Sequence, residues 1–368
     1  MDYKKLIEIK AQLLCYGIRE NKWSIEFYRK QNPNNIIKGG GFVGLHFILD
    51  TKIPVLASTT FVFDKNSSYE IVKKQQFFYL KHDDGSVIRI DSITMPHWYQ
   101  NTTTSHKPMS KVFAHEGTHY LHQQYAGCGY QMIGKGCKFC GTGCKWYDSS
   151  AEEIVETALQ AYEENNQYQV CLGGGTKLIP SKGSEFFLSC VKKIREKNKN
   201  IPIWIEMTPP DENKYIEELI NAGASGFGFN IEIWDDVLRH EICPGKSRIP
   251  KQRYFEVWDF VQKKLDKNKT NTVLITKLEP FKSTLEGIHE ISKKGVRITL
   301  LPFKPWGTSA YANKVPADPE NLLKLGYKLA KDMIKYHINP DKNYGCANCD
   351  SCTIEEDIRK FVLLPKKN

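Results

Sequence analysis

The sequence predicts an α/β protein built on a partial (β/α)6 barrel of the TIM type, with a small N-terminal α+β domain and a short C-terminal cysteine-rich tail. Two observations support this fold class. Apolar strands alternate with amphipathic helices from about residue 111 to 336, and 368 residues suffice for one large core plus a smaller unit. Such alternation implies parallel strands joined by right-handed crossovers.

Residues 1–110 form the predicted N-terminal domain. The segment from Tyr3 to about Glu20 has helical periodicity. Four stretches then alternate as strands linked by short turns. They are GFVGLHFIL, STTFVFD, QQFFYLKH and SVIRIDSI. This region carries no motif that indicates chemistry.

Residues 111–336 form the predicted barrel, and residues 337–368 form the tail. The six barrel strands are HYLHQQY, QVCLGG, IPIWIEM, GFGFNIEI, TVLITKL and VRITLLPF. Helices are expected near 150–165, 184–198, 211–222, 250–267, 283–294 and 319–336. Active sites of such barrels lie at the C-terminal ends of the strands, so the residues that follow each strand carry the functional argument.

Charge and hydropathy narrow the function classes. The formal charge is +10, from 52 Lys and Arg against 42 Asp and Glu. Many lysines fall on outer faces of predicted helices, as in VKKIREKNKN, so a solvated surface is favoured over an RNA partner. No apolar run approaches the roughly 20 residues that span a bilayer, and charges interrupt the N-terminal segment, unlike a secretory signal. We expect a cytoplasmic protein with no membrane segment.

The eleven cysteines are clustered rather than scattered. Four fall within residues 128–144 and three within 346–352. The cytosol does not maintain disulfides, and clustered thiols suit metal or cluster ligation.

The first cysteine cluster, C128-GYQMIGKG-C137-KF-C140-GTG-C144, directly follows the first barrel strand. Three thiolates can hold a [4Fe–4S] cluster and leave one iron open to chelate a ligand. The alternative is a structural zinc knuckle made by all four cysteines, which would serve a binding protein rather than an enzyme. The barrel favours the first interpretation, because a knuckle would lie idle over the active-site mouth.

The segment Cys137-Lys138-Phe139-Cys140 resembles the C-x-aromatic-C end of the radical S-adenosylmethionine (radical SAM) motif. Eight residues separate Cys128 from Cys137, where the usual family spacing is three. The resemblance implies that Cys128, Cys137 and Cys140 hold the cluster, with Cys144 as the alternative to Cys128.

Further matches follow in order along the barrel. Gly173-Gly174-Gly175-Thr176 is similar to the family's GGE-like stretch, which meets the methionyl amine of S-adenosylmethionine (SAM). The resemblance implies ribose contacts from Glu206, Asn230 and Glu232, with Arg239 and Arg248 as competing partners of the methionyl carboxylate. The turn at 278–287 is similar to the adenine-packing turn, and the sixth strand leaves the barrel in a family-like way from Leu301. For each polar residue the alternative is a salt bridge at the barrel rim.

The resemblance implies reductive cleavage of SAM to a 5′-deoxyadenosyl radical that abstracts a substrate hydrogen. It also implies an electron donor such as flavodoxin or ferredoxin. Among substrates we favour a small molecule over a peptide or RNA.

Two other motifs need interpretation. His115-Glu116-Gly117-Thr118-His119 fits the H-E-x-x-H pattern of zinc peptidases, which requires a helix. Its flanks alternate as strands, so we assign the match to chance and keep a zinc metallopeptidase as the rival function. Cys346, Cys349 and Cys352 are predicted to hold an auxiliary iron–sulfur cluster, with structural zinc as the alternative.

Overall fold

A computed structural model describes residues 1–31, 44–59, 62–123, 127–141, 149–340 and 348–365. Within these residues the N-terminal part forms a five-stranded antiparallel sheet in the order β2-β1-β5-β4-β3. Its strands are β1 (Leu45–Leu49), β2 (Ile53–Ala57), β3 (Tyr69–Lys74), β4 (Phe77–His82) and β5 (Val87–Ser92). Burial alternates along β4 and β5, as expected for a sheet with one face on a core.

A second, seven-stranded sheet lies within the same described residues and has the order β12-β11-β10-β9-β8-β7-β6. Its strands are β6 (Phe113–Glu116), β7 (Tyr120–Gln123), β8 (Gln169–Gly173), β9 (Ile203–Glu206), β10 (Gly226–Gly228), β11 (Thr270–Thr276) and β12 (Arg297–Pro302). Strands β7 to β12 pair in parallel, and β6 adds to β7 as an antiparallel edge. The predicted partial (β/α)6 barrel is therefore confirmed.

The described helices cover the outside of the barrel or join the N-terminal sheet to it. They are α1 (Tyr3–Tyr16), α2 (Lys22–Gln31), α3 (Gly129–Met132), α4 (Ala151–Glu164), α5 (Ser184–Lys197), α6 (Lys214–Ala222), α7 (Asp236–Ile242), α8 (Lys251–Lys264), α9 (Phe281–Lys293), α10 (Pro319–Lys335) and α11 (Glu355–Leu363). Local signals fix several ends. Ser150 caps α4 in a reciprocal capping box with Glu153, and Asp318 caps α10 just before Pro319. Of the described helices, none is long and apolar enough to cross a membrane.

The described part of the C-terminal tail bridges the two edges of the barrel sheet. At the β12 edge, the Arg297 guanidinium lies 2.9 Å from Asp350 Oδ1. At the other edge, a Cβ built on Gly117 after β6 would lie 3.1 Å from Cys349 Sγ. The Leu56 amide in β2 also donates to the Ser351 carbonyl at 2.8 Å. The tail thus closes the side of the half-barrel that its strands leave open.

Two expectations for the N-terminal part were wrong. The first helix ends at Tyr16, not near Glu20, because Gly17 adopts a φ of 67° that stops it. The STTFVFD stretch is not a strand where it is described, since Val62–Asn66 forms a 3-10 helix. The division into domains at 1–110, 111–336 and 337–368 stays a prediction.

The HEGTH motif lies on a β-hairpin. His115 belongs to β6, and His119 directly precedes β7, which pairs antiparallel with β6. His115 is 1% exposed and packs edge-on against Trp98 and Tyr168. The helix that a zinc peptidase needs is absent here, so the rival function loses its structural basis.

Candidate active site

A cavity of about 340 Å³ lies at the C-terminal ends of the parallel strands. Among its walls are the three cysteines and seven of the ten residues that the sequence predicted to bind SAM. These residues are Cys128, Cys137, Cys140, Gly174, Gly175, Thr176, Glu206, Asn230, Glu232 and Leu301. Residues from five different chain segments thus meet at the C-terminal ends of the strands, where the active sites of such barrels lie.

The three cysteines lie on a segment that is tied to two neighbouring strand ends. The Gly129 amide, directly after Cys128, donates to the Thr176 carbonyl at 2.8 Å, beyond the end of β8. On the other side, the Lys138 amide donates to the Ile242 carbonyl at the end of α7, also at 2.8 Å. All three thiols are half-buried rather than sealed in the core, which leaves them accessible to a cluster.

Glycines allow this segment to approach its neighbours closely. A Cβ on Gly175 would lie 2.1 Å from the Gly127 carbonyl oxygen. A Cβ on Gly141 would lie 1.5 Å from the Trp306 ring. Any larger residue at either position would push the cysteine segment away from the barrel rim.

The three described thiols lie too far apart to bind one zinc ion together. Sulfur atoms around a tetrahedral zinc lie about 3.8 Å apart, given zinc–sulfur bonds of about 2.3 Å. Among the described residues, Cys128, Cys137 and Cys140 do not form a group whose sulfur atoms all lie within 4.8 Å of one another. Cys144, the fourth member of the alternative knuckle, lies outside the described residues.

Cys137 also has a cysteine neighbour that the sequence did not pair with it. Its thiol hydrogen-bonds to Cys243, and this contact together with burial raises the pKa of Cys137. Phe139 and Cys137 pack against the same apolar cluster, which includes Ile275 and Phe303. One wall of the cavity is therefore apolar, which helps to exclude water from it.

The glycine-rich end of β8 lies where the sequence placed it. Gly173 is the last residue of the strand, and Gly174, Gly175 and Thr176 continue into the cavity wall. The Thr176 hydroxyl is buried and lies 3.1 Å from the Thr208 hydroxyl, so these two loops are joined. Gly173 itself is not among the described residues of the wall.

A lysine that the sequence analysis did not single out, Lys246, supplies one cation of the cavity, whose wall also includes Lys304. Lys246 Nζ lies 2.7 Å from Glu232 Oε1 and donates to the Asn230 carbonyl at 3.1 Å. Burial lowers its pKa, but the negative charge of Glu232 outweighs this, and the pKa of Lys246 is raised. Glu232 has a φ of 71°, held by backbone hydrogen bonds on both sides to β11.

Neither predicted arginine belongs to the described cavity wall. Arg239 is 2% exposed, and its guanidinium donates to the carbonyls of Lys246 and Ile249. Arg248 is exposed to solvent. Arg239 therefore supports the Lys246 turn from behind, because α7 presents it to the protein interior rather than to the cavity.

A polar cluster that the sequence did not predict lies deeper in the barrel. His122 from β7, Cys171 from β8 and Glu206 from β9 have their nitrogen, sulfur and oxygen ligand atoms within 4.8 Å of one another. Burial lowers the pKa of His122, but Cys171 and Glu206 raise it more, so the net shift is upward. Burial raises the pKa of the Cys171 thiol.

The tail cysteines lie at different depths. Cys352 is 8% exposed and forms part of the cavity wall. Cys349 packs at Gly117, and its thiol donates to the Ser351 hydroxyl at 3.1 Å. Cys346 lies outside the described residues.

The fold and the site define an α/β barrel protein with three cysteines beside a cavity at the strand ends. Residues 127–303 match the family model described as the Radical SAM superfamily. The chain therefore contains a Radical SAM domain, and the resemblance predicted from the Cys137–Cys140 motif is confirmed. Members of this superfamily use a [4Fe–4S] cluster and SAM as cofactors.

One curated protein and two solved structures are similar to parts of this chain. Bacteriochlorophyllide c C-7(1)-hydroxylase of Chlorobaculum limnaeum is 28% identical over 136 residues, covering 36% of this chain and 34% of that protein. The match thus spans about a third of the length of this curated relative. A radical SAM methyltransferase from Sphaerobacter thermophilus aligns with a TM-score of 0.45 and 13% identity, over 72% of this chain and 75% of that one. Active domain 2 of a chitinase from Pyrococcus furiosus aligns with a TM-score of 0.34 and 8% identity, over 52% and 68%.

Proposed function

We propose that the protein holds a [4Fe–4S] cluster through Cys128, Cys137 and Cys140 and cleaves SAM reductively in the adjoining cavity. The observation that carries the proposal is the convergence of these three thiols with five strand ends on one cavity. When bound, the cluster and SAM supply the electron and the 5′-deoxyadenosyl group that remove a hydrogen atom from a substrate. The protein's part is to bind, orient and exclude water.

We assign the polar residues of the cavity wall to different groups of SAM. In this proposal the exposed backbone of Gly174 and Gly175 binds the amine of SAM and the Asn230 amide binds its ribose, which is supported by their position in the cavity wall. Lys246 takes the part that we expected of an arginine, as the cation for the methionyl carboxylate. Its ammonium is already oriented by Glu232 at 2.7 Å, so little side-chain freedom remains to be lost on binding.

The apolar walls protect the reaction. Val273, Ile275, Leu301 and Phe303 line the cavity, and Phe139 closes it beside Cys140. Side chains of this kind offer no hydrogen bonds to water. They would keep a reactive carbon radical from solvent until it meets the substrate.

An auxiliary iron–sulfur cluster at Cys346, Cys349 and Cys352 is part of the proposal. Its support is the position of Cys352, which lines the same cavity as the first three cysteines. A cluster there would face bound substrate rather than the protein exterior. Structural zinc remains the alternative for these thiols.

For the substrate we favour a small molecule. The electrons would come from a donor such as flavodoxin or ferredoxin. The cavity of about 340 Å³ is enclosed by the tail on one side, which suits a small ligand better than RNA. The lysines of α5 and α8 lie on helix surfaces away from the strand ends.

The test is formation of 5′-deoxyadenosine by the anaerobically reconstituted full chain with dithionite and SAM. We expect wild-type protein to form it and Cys140→Ala to form none. Cys190→Ala, which removes a fully buried thiol in α5, is the matched control and should keep the activity. If wild type and Cys140→Ala release 5′-deoxyadenosine equally, the cysteine does not serve SAM cleavage.

A further inference from the structure

We propose that His122, Cys171 and Glu206 bind one divalent metal ion of the zinc class at the floor of the cavity. The three side chains come from three neighbouring parallel strands, and their ligand atoms all lie within 4.8 Å of one another. This site is separate from both cysteine clusters and does not depend on SAM chemistry.

The strand register explains why these residues meet. His122 pairs with Cys171 across β7 and β8, and Cys171 pairs with Trp204 across β8 and β9. Glu206 lies two residues beyond Trp204 and therefore on the same face of the sheet. Gly173 leaves room between the two ligands that face each other. A Cβ there would lie 3.2 Å from Glu206 Cβ and 3.9 Å from His122 Nε2.

The histidine is oriented for ligation through one nitrogen. Its Nδ1 lies 3.1 Å from the Gln123 carbonyl oxygen, to which an Nδ1–H donates. Nε2 is then the metal-binding nitrogen, and it lies 3.9 Å from Glu206 Oε2. That separation is too long for a hydrogen bond between the two groups but leaves space for an ion between them.

The donor set indicates the class of metal. Imidazole, thiolate and carboxylate together suit zinc and similar late first-row dications better than calcium or magnesium. His122 and Glu206 line the cavity, whereas Cys171 is 0% exposed behind them. A fourth coordination position would therefore face the cavity, as in catalytic zinc sites.

A second, independent observation points to a polar ligand at this place. Asn271 is 1% exposed, and neither polar atom of its side chain finds a hydrogen-bond partner among the described residues. A Cβ on Gly228 would lie 2.6 Å from Asn271 Oδ1 and 3.0 Å from Glu206 Cγ, so the amide lies beside the carboxylate. Leaving a buried amide unpaired costs free energy, and a metal-bound water would supply the missing hydrogen bonds.

The test uses Co²⁺ as the probe, added anaerobically to the full chain after iron–sulfur reconstitution. We expect wild-type protein to retain one equivalent of cobalt with the visible absorption of tetrahedral thiolate ligation. His122→Ala and Cys171→Ala should each lose that equivalent and its spectrum. Cys190→Ala, which removes an equally buried thiol outside the barrel interior, should retain both.

Cobalt binding that is unchanged in His122→Ala and Cys171→Ala overturns the proposal. If Cys171→Ala fails to fold, as judged by circular dichroism, X-ray absorption of cobalt-loaded wild type decides. One sulfur with nitrogen and oxygen neighbours supports the site, and an all-sulfur shell overturns it. Failure of SAM cleavage would show separately as absent 5′-deoxyadenosine, which does not enter this readout.

Discussion

Lys246 Nζ lies 2.7 Å from Glu232 Oε1, and both side chains are about one-eighth exposed, at 13% and 12%. Asn230 adds its carbonyl to the same ammonium at 3.1 Å. The pair places a fixed cation and a fixed anion side by side in the cavity wall, facing the cysteine segment. The charge pattern of a zwitterionic ligand such as SAM fits this arrangement.

Replacing this cation should weaken SAM binding. We expect Lys246→Met to raise the Kd for SAM about tenfold, equivalent to about 1.4 kcal/mol, because a charge-assisted contact to the carboxylate is lost. Isothermal titration under anaerobic conditions measures it. Lys251→Met is the control, since Lys251 pairs with Asp236 at 3.1 Å away from the described cavity wall. Equal affinity in the two variants would rule out the assigned role.

A larger side chain beside the cysteine segment should lower the amount of iron–sulfur cluster that the protein binds. In Gly175→Ala the new Cβ would meet the Gly127 carbonyl oxygen at 2.1 Å, which forces Cys128 away from β8. We expect iron per chain after reconstitution to fall to less than half of the wild-type value. Gly307→Ala is the control, because nothing lies within 4 Å of a Cβ there. A full iron complement in Gly175→Ala would show that the close approach is not needed.

The tail should depend on a buried ion pair for its attachment. Lys10 Nζ in α1 lies 2.6 Å from Asp357 Oδ2, with side chains only 0% and 3% exposed. Removing one buried partner leaves the other uncompensated, so Lys10→Met should lower the free energy of unfolding by about 3–5 kcal/mol in urea titrations. Lys5→Met is the exposed control. A loss below about 1 kcal/mol in Lys10→Met would contradict the account, and Lys10→Met/Asp357→Leu should recover part of it.

Glu355 should make stability fall as pH rises. Burial raises the pKa of this carboxyl to about 7 from an ordinary 4.5, opposed by the positive charge of Arg297. The folded state then holds a proton that the unfolded state has released, so stability is lost between about pH 4.5 and 7. Glu355→Gln lacks this titration. We expect it to unfold like wild type near pH 4.5 and to be more stable at pH 8 by on the order of 2–3 kcal/mol.

Urea titrations of Glu355→Gln and wild type across this pH range measure the difference. Glu320→Gln, at an exposed position in α10, controls for the loss of a surface charge. A stability difference that does not change with pH would mean that the carboxyl titrates normally in the folded protein.

The order of strands and the residues at their ends could be predicted from the sequence, because each barrel strand is an apolar run and parallel barrels gather their C-terminal ends. Thus Gly175, Asn230 and Glu232 reach the cavity as expected. The direction in which a helical side chain points was harder to predict. Arg239 lies in α7, and the face of the helix that carries it depends on packing against Tyr254.

Contacts between distant segments were beyond sequence reasoning. Lys246 meets Glu232 only because a turn after α7 folds back over β10. The sequence of a short polar turn does not indicate the direction in which the chain leaves it. His122, Cys171 and Glu206 meet through strand register, which depends on pairing rather than on composition. Cys171 taken alone is a buried thiol, and only the nearness of His122 and Glu206 makes it a candidate metal ligand.

Electron paramagnetic resonance of the dithionite-reduced full chain, with and without SAM, tests whether Cys128, Cys137 and Cys140 hold a cluster that binds SAM. It is best recorded on the variant with alanine at positions 346, 349 and 352, so that one cluster remains. We predict a [4Fe–4S]⁺ signal that changes on addition of SAM and is absent when Cys137→Ala is added. Protein that holds zinc and no iron at Cys128, Cys137 and Cys140 would contradict the proposed function. A cluster signal that does not change when SAM is added would also contradict it.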